Sequence, residues 1–243
     1  MPEEINKVRQ RLVKWIEEKV LQAKAQGMVL GLSGGLDSSL VATLVVEALG
    51  KENVLGLFLP CNSDPKDLID AEMVAKKLKI QTRLLDLSPI YTNLLKILPK
   101  GDLISQANLK PRLRMMILYY YANMLNYLVA GTGNKSEISV GYFTKYGDGA
   151  ADILPLGDLY KSEVKKLAAL VGVPKHIVNK VPSAGLWKGQ TDEGEMGITY
   201  PELEKILIAL EKGKKTFGKK TAKVKKMVQK TQHKLKMPEV FRK

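Results

Sequence analysis

The chain has 243 residues, 45% hydrophobic and 26% charged, which suits one domain with its own core, built without disulfides or metals. No apolar run reaches the roughly 18 to 20 residues of a membrane helix, the charged start MPEEINKVRQRLVKW lacks a secretory apolar segment, and the one cysteine, Cys61, excludes a disulfide framework or a cysteine-rich zinc cluster. The net charge is +14, yet eleven lysines and no acid lie in 212–236, leaving +3 for all other residues.

That basic run reads as a solvated lysine-rich helix, so no nucleic-acid partner is expected. The expected setting is intracellular, in the cytoplasm, with no membrane contact.

Residues 3–26 place Ile5, Val8, Leu12, Trp15, Ile16 and Val20 at helical spacing, and Gly27 ends that helix. Residues 28–32 form a short apolar run between glycines, as a buried strand does. A helical stripe follows at Leu40, Val41, Leu44, Val45, Ala48 and Leu49, closed by Gly50. A strand is predicted at 54–59, a helix near 66–79, a third strand at 81–87, a long helix at 111–127 and a fourth strand at 128–131. Strands apolar on both faces, alternating with helices, predict an α/β fold: one domain, 1–243, with a parallel β-sheet flanked by helices on both faces.

Ser33-Gly34-Gly35-Leu36-Asp37-Ser38-Ser39 falls between the first strand and its helix, at the carboxyl end where such sheets bind ligands. Adjacent glycines let backbone N–H groups approach an anion, and the following helix N-terminus adds free donors. Asp37 would repel a phosphate unless a cation bridges them, which implies Mg²⁺. The plain alternative is a glycine turn with a serine cap. Neither a Gly-Lys-Ser/Thr loop nor GxGxxG is present.

These letters resemble the SGGxDS loop of the PP-loop ATP pyrophosphatases, with their adenine nucleotide α-hydrolase-like, Rossmann-like fold. Further motifs narrow the resemblance: Gly131-Thr132-Gly133-Asn134-Lys135-Ser136-Glu137, then 142–152 (YFTKYGDGAAD), then 155–161 (PLGDLYK), then 182–187 (PSAGLW) and 189–193 (GQTDE). Together they are similar to the ammonia-dependent NAD⁺ synthetases, from about Val29 to Lys234. The resemblance implies a homodimeric ligase acting on ATP, deamido-NAD⁺ and ammonia. The nicotinate carboxylate attacks ATP, and ammonia then displaces AMP to leave NAD⁺ and diphosphate.

The same resemblance implies ATP contacts at Gly31, Leu32, Ser33, Gly34, Gly35, Leu36, Asp37, Ser38, Ser39, Thr132, Lys161 and Ser183. Asp37 and Glu137 would hold Mg²⁺, and Lys161 would meet charge moving onto the leaving diphosphate. Arg112, Lys145, Asp152, His233 and Lys234 would meet deamido-NAD⁺. Asp148 is the candidate base for the amine proton, against the plainer reading of a turn aspartate. A salt bridge is expected for Arg114, and the glycine-punctuated segment 185–197 is expected to act as a mobile lid that keeps water out. The sole cysteine lies within the synthetase motifs, so free ammonia, or a separate glutaminase subunit, would supply the nitrogen. Two rivals stand beside this reading: a PP-loop tRNA-modifying enzyme using 212–236 for RNA, and a non-catalytic nucleotide-binding protein.

Overall fold

The computed structural model describes residues 2–242. In chain order the main elements are α1 (Pro2–Gln22), β1 (Gly27–Gly31), α2 (Leu36–Leu49), β2 (Val54–Phe58), α3 (Pro65–Leu78), β3 (Gln81–Leu84), α4 (Ser88–Ile97) and α5 (Leu103–Ala107). They continue as α6 (Leu109–Leu125), β4 (Tyr127–Val129), α7 (Lys135–Val140), α8 (Lys161–Leu170), α9 (Lys175–Val178), α10 (Asp192–Met196), α11 (Tyr200–Glu211) and α12 (Lys219–Leu235). The predicted elements are present, with ends shifted by a few residues.

The sheet is fully parallel in the order β3-β2-β1-β4. Met28 sits beside Val54 on one side and Leu128 on the other, so β1 lies at the centre. Its side chains alternate between faces. Met28 and Leu30 join a core with α1, α2 and α8, while Val29 joins a second core beneath α4 and α6. The α/β architecture with helices on both faces is therefore the one expected.

One strand departs from expectation. Regular pairing of the third strand stops at Leu84, and Gln81, Arg83 and Leu84 are exposed rather than apolar on both faces. It is the sheet edge, covered on neither side as fully as β2, whose five residues are all buried. A further core joins α7, α11 and α12 through Val140, Leu203, Leu207 and Val224. It brings the end of α12 against the loop that follows α7, where Lys234 and His233 meet Gly141, Phe143 and Lys145.

Candidate active site

The turn between β1 and α2 places Ser33–Asp37 at the carboxyl end of the central strand. Gly35 caps α2 without a side-chain hydrogen bond, so the helix presents free N–H groups there. Gly34 has φ +71°, and a Cβ on it would lie 2.1 Å from the Asp67 carbonyl oxygen; glycine is required at this close approach. The loop hydroxyls turn inward: Ser38 and Ser39 donate to the Gly35 carbonyl at 3.1 and 2.7 Å. Lys180 braces the loop from outside, donating to the Gly34 carbonyl (3.2 Å), to Asp67 (2.8 Å) and to Asp70 (2.6 Å).

Across the loop, Asp37, Glu137 and Lys161 meet. The Lys161 ammonium lies 2.5 Å from Asp37 Oδ2 and 3.3 Å from Glu137 Oε1. Asn134 explains how α7 delivers Glu137: its side chain caps the helix, the Glu137 carboxylate returns to the Asn134 N–H, and Asn134 Nδ2 also donates to Asp37 Oδ1 at 3.1 Å. The Tyr200 hydroxyl donates to Asp192 Oδ2 (2.9 Å) and lies 3.3 Å from Glu137 Oε1, while Asp192 Oδ1 is buried without a partner.

The electrostatics favour a further cation. Desolvation pushes the Glu137 carboxyl up to about 7, with Lys161 opposing and Asp37 and Asp192 adding to the rise. Burial disfavours the Lys161 charge, yet Asp37 and Glu137 outweigh it and hold the ammonium pKa above its ordinary value. Two carboxylates on one ammonium, with the orphaned Asp192 oxygen joined to them through Tyr200, fit a hard divalent ion such as Mg²⁺. Among the described residues no three His, Cys, Asp or Glu side chains form a metal cage, so such an ion would share its shell with phosphate oxygens and water.

A second group lies between α6, the 141–152 loop and the end of α12. Arg112 donates to the Lys145 carbonyl (3.3 Å), and Lys145 Nζ donates to the His233 carbonyl (2.6 Å). Lys234 Nζ donates to the Gly141 and Phe143 carbonyls, both at 2.7 Å, and lies over the Phe143 ring. Asp148 accepts from the Thr144 N–H (2.9 Å). It keeps solvent access, while the packed turn pushes its carboxyl upward by desolvation, opposed by backbone N–H groups and Lys234. Asp152 is anchored, accepting from the Val129 N–H (2.7 Å) and the Tyr119 hydroxyl (3.2 Å).

Arg114 corrects an expectation. No carboxylate pairs with it among the described residues; it donates to the Leu59 carbonyl (3.0 Å) and to Ser63 Oγ (3.1 Å), tying down the end of β2. The Leu59 carbonyl lies just beyond the last strand residue and needs a donor, and a guanidinium serves it and the Ser63 hydroxyl at once. Ser183 is turned onto its own loop, donating to the Gln190 carbonyl (2.7 Å). Gln190 in turn accepts from the Leu186 N–H and donates to Glu195, both at 2.8 Å. The 185–197 segment thus forms an ordered loop knotted on Gln190. Thr132 is half-buried in the turn leaving β4.

Residues 8–238 match the family model for NAD synthase. The chain belongs to the NAD synthase family. The NH(3)-dependent NAD(+) synthetase of Archaeoglobus fulgidus is 50% identical over 97% of this chain and 96% of that protein. Among solved structures, NMN synthetase from Francisella tularensis superposes with a TM-score of 0.90 at 40% identity, covering 99% of this chain and 98% of that one. The NH3-dependent NAD synthetase from Campylobacter jejuni gives 0.85 at 35% identity, covering 98% and 99%.

For this NAD synthase, sequence reasoning missed Lys180, Asn134, Asp192 and Tyr200. Signals existed: Lys180 stands two residues before the Pro182-Ser183 motif, Asn134 precedes a Lys-Ser-Glu start with capping-box spacing, Asp192 falls within the 189–193 motif, and Tyr200 follows Thr199, which has the spacing of a helix cap to Glu202. What sequence lacked was any indication of which charge each would face.

Proposed function

We propose that this chain is an ammonia-dependent NAD⁺ synthetase, a C–N ligase that converts ATP, deamido-NAD⁺ and ammonia to AMP, diphosphate and NAD⁺. The observation that carries this reading is the Asp37–Glu137–Lys161 cluster beside the uncapped N-terminus of α2. The phosphate loop holds the β- and γ-phosphates, and a nicotinate carboxylate oxygen attacks the α-phosphorus. The phosphorus–oxygen bond to diphosphate breaks, and Lys161 faces the charge that develops on the leaving group. Asp37 and Glu137 are the residues that would hold Mg²⁺, whose charge would offset that of the triphosphate.

Ammonia then attacks the acyl carbon of the mixed anhydride, and AMP leaves with the bonding pair. Asp148 is the group we assign to take the amine proton, within reach of the Arg112–Lys145–Lys234 region that would receive the dinucleotide. The knotted 185–197 loop keeps water from the anhydride. We place the reaction in the cytoplasm, where a lone thiol such as Cys61 persists. Among the described residues, no helix is long and apolar enough to cross a membrane.

A homodimer is part of the same proposal. Met116, Tyr120 and Met124 recur every four residues on α6 and are 57%, 64% and 57% exposed, an apolar stripe that a second copy would cover. Tyr120→Glu should shift the sedimenting species to monomer; an unchanged dimer would move the interface elsewhere.

The deciding assay combines ATP, Mg²⁺, deamido-NAD⁺ and ammonium, following NAD⁺, AMP and diphosphate, with glutamine replacing ammonium in parallel. Equal amounts of all three products, with ammonium only, are expected. The likeness to an NMN synthetase favours a second acceptor, nicotinate mononucleotide, run as a third arm. Faster turnover on the mononucleotide would reassign the substrate. Absence of diphosphate release in every arm would overturn the synthetase reading.

A further inference from the structure

Glu204, on α11, is a carboxylate only 5% exposed that makes no ion pair among the described residues. A buried carboxylate needs donors, and Glu204 has two on one oxygen. Its Oε1 accepts from the Ser136 hydroxyl at 2.9 Å and from the Ser162 N–H at 3.1 Å. Ser136, itself fully buried, accepts from the Lys161 N–H at 3.0 Å. Glu204 therefore sits at the first turn of α8, where free N–H groups and the helix dipole favour a negative charge.

The chain of bonds has a direction. A hydroxyl carries one proton. Giving it to Glu204 leaves the Ser136 lone pairs for the Lys161 amide. Lys161 is the first residue of α8, and Glu137 follows Ser136 in α7. One carboxylate from a third helix thus holds together the two helix starts that bear the charged pair.

We propose that Glu204 is a positioning residue for the adenylation step, setting the separation of Glu137 and Lys161 through Ser136. This inference rests on the proposed synthetase function. It predicts that an acceptor oxygen at this position, which the glutamine amide also supplies, is what holds the link to Ser136 and Ser162. Glu204→Gln keeps an acceptor at Oε1; Glu204→Ala and Ser136→Ala remove the link.

The experiment measures diphosphate release at saturating substrates, and Mn²⁺ binding by electron paramagnetic resonance with a non-hydrolysable ATP analogue. Both are run where circular dichroism shows each variant folded. Groups that orient metal-site carboxylates typically contribute about 10- to 100-fold to affinity or activity. Glu204→Ala and Ser136→Ala should lose that much in kcat and in Mn²⁺ affinity, and Glu204→Gln should recover most of both.

Wild-type kcat and Mn²⁺ affinity in folded Glu204→Ala or Ser136→Ala would overturn the proposal. So would a Glu204→Gln variant as impaired as Glu204→Ala. Should Glu204→Ala not fold, Ser136→Ala against Glu204→Gln makes the same comparison. Wild-type protein that releases no diphosphate would instead overturn the synthetase reading, while the Mn²⁺ titration would still report on Glu204.

Discussion

Two charged regions of the molecule treat charge in opposite ways. At Asp37, Glu137 and Lys161, an ammonium carried by α8 is held between carboxylates carried by α2 and α7. At Arg112, Lys145 and Lys234, the cations meet carbonyl oxygens and aromatic rings, with no acid paired to any of them among the described residues. The first region holds its charges in place before a substrate arrives, the condition for stabilising charge that develops during reaction. The second leaves positive charge uncompensated, so an anionic substrate completes it.

The contrast breaks most directly at Lys161. Lys161→Met should lower the rate of diphosphate release by about 1,000-fold, the upper range for losing one preorganised electrostatic group. A smaller loss than that caused by neutralising Lys145 would reverse the assignment of the two regions. Asp148→Asn should slow amide formation by about 100-fold, typical of a general base, while adenylate formation continues. Rapid-quench measurement of the two steps decides it, and unchanged ammonia-dependent turnover would remove Asp148 from the chemistry.

In the open region the effect should be on binding. Lys145→Met should raise KM for deamido-NAD⁺ by about tenfold, in line with one charge-assisted hydrogen bond, with kcat little changed. Added salt should raise the wild-type KM more than that of the variant, because exposed charges are screened and enclosed ones are not. Equal salt sensitivity in both proteins would mean that Lys145 carries no substrate charge.

The smallest effect concerns stability. With its carboxyl pushed from an ordinary 4.5 up to about 7, Glu137 keeps a proton in the folded chain that the unfolded chain releases. Ligand-free stability should thus fall as pH rises from about 4.5 to 7 and level off above. Thermal melts of the wild type and Glu137→Gln across that range test the sign. A wild-type slope no steeper than that of the variant would contradict it.

Much of this was legible in the chain. The strand pattern, the Gly34-Gly35 turn and the position of Asp37 depend on residues close in sequence, and local propensity reports them well. The salt bridge expected for Arg114 is absent among the described residues because its partners, a carbonyl and a hydroxyl more than fifty residues away, are set by packing rather than by its place on the helix. Lys180 was missed for a similar reason, since its ties to Gly34, Asp67 and Asp70 span more than one hundred residues. The third strand is shorter than expected, ending at Leu84, and its polar Gln81, Thr82 and Arg83 suit the sheet edge it occupies, a position that only the strand order reveals.

By itself the sequence determined a parallel α/β sheet with a glycine turn at the end of its first strand. Glycine conformations, helix caps and strand alternation are set within a few residues, so they survive without knowledge of the whole. Only the tertiary structure decided which charges meet. Lys161 reaches Asp37 across 124 residues, and Glu204 on a third helix holds Ser136 and Ser162. Such pairings follow from how helices pack on the sheet, and packing depends on every core contact at once.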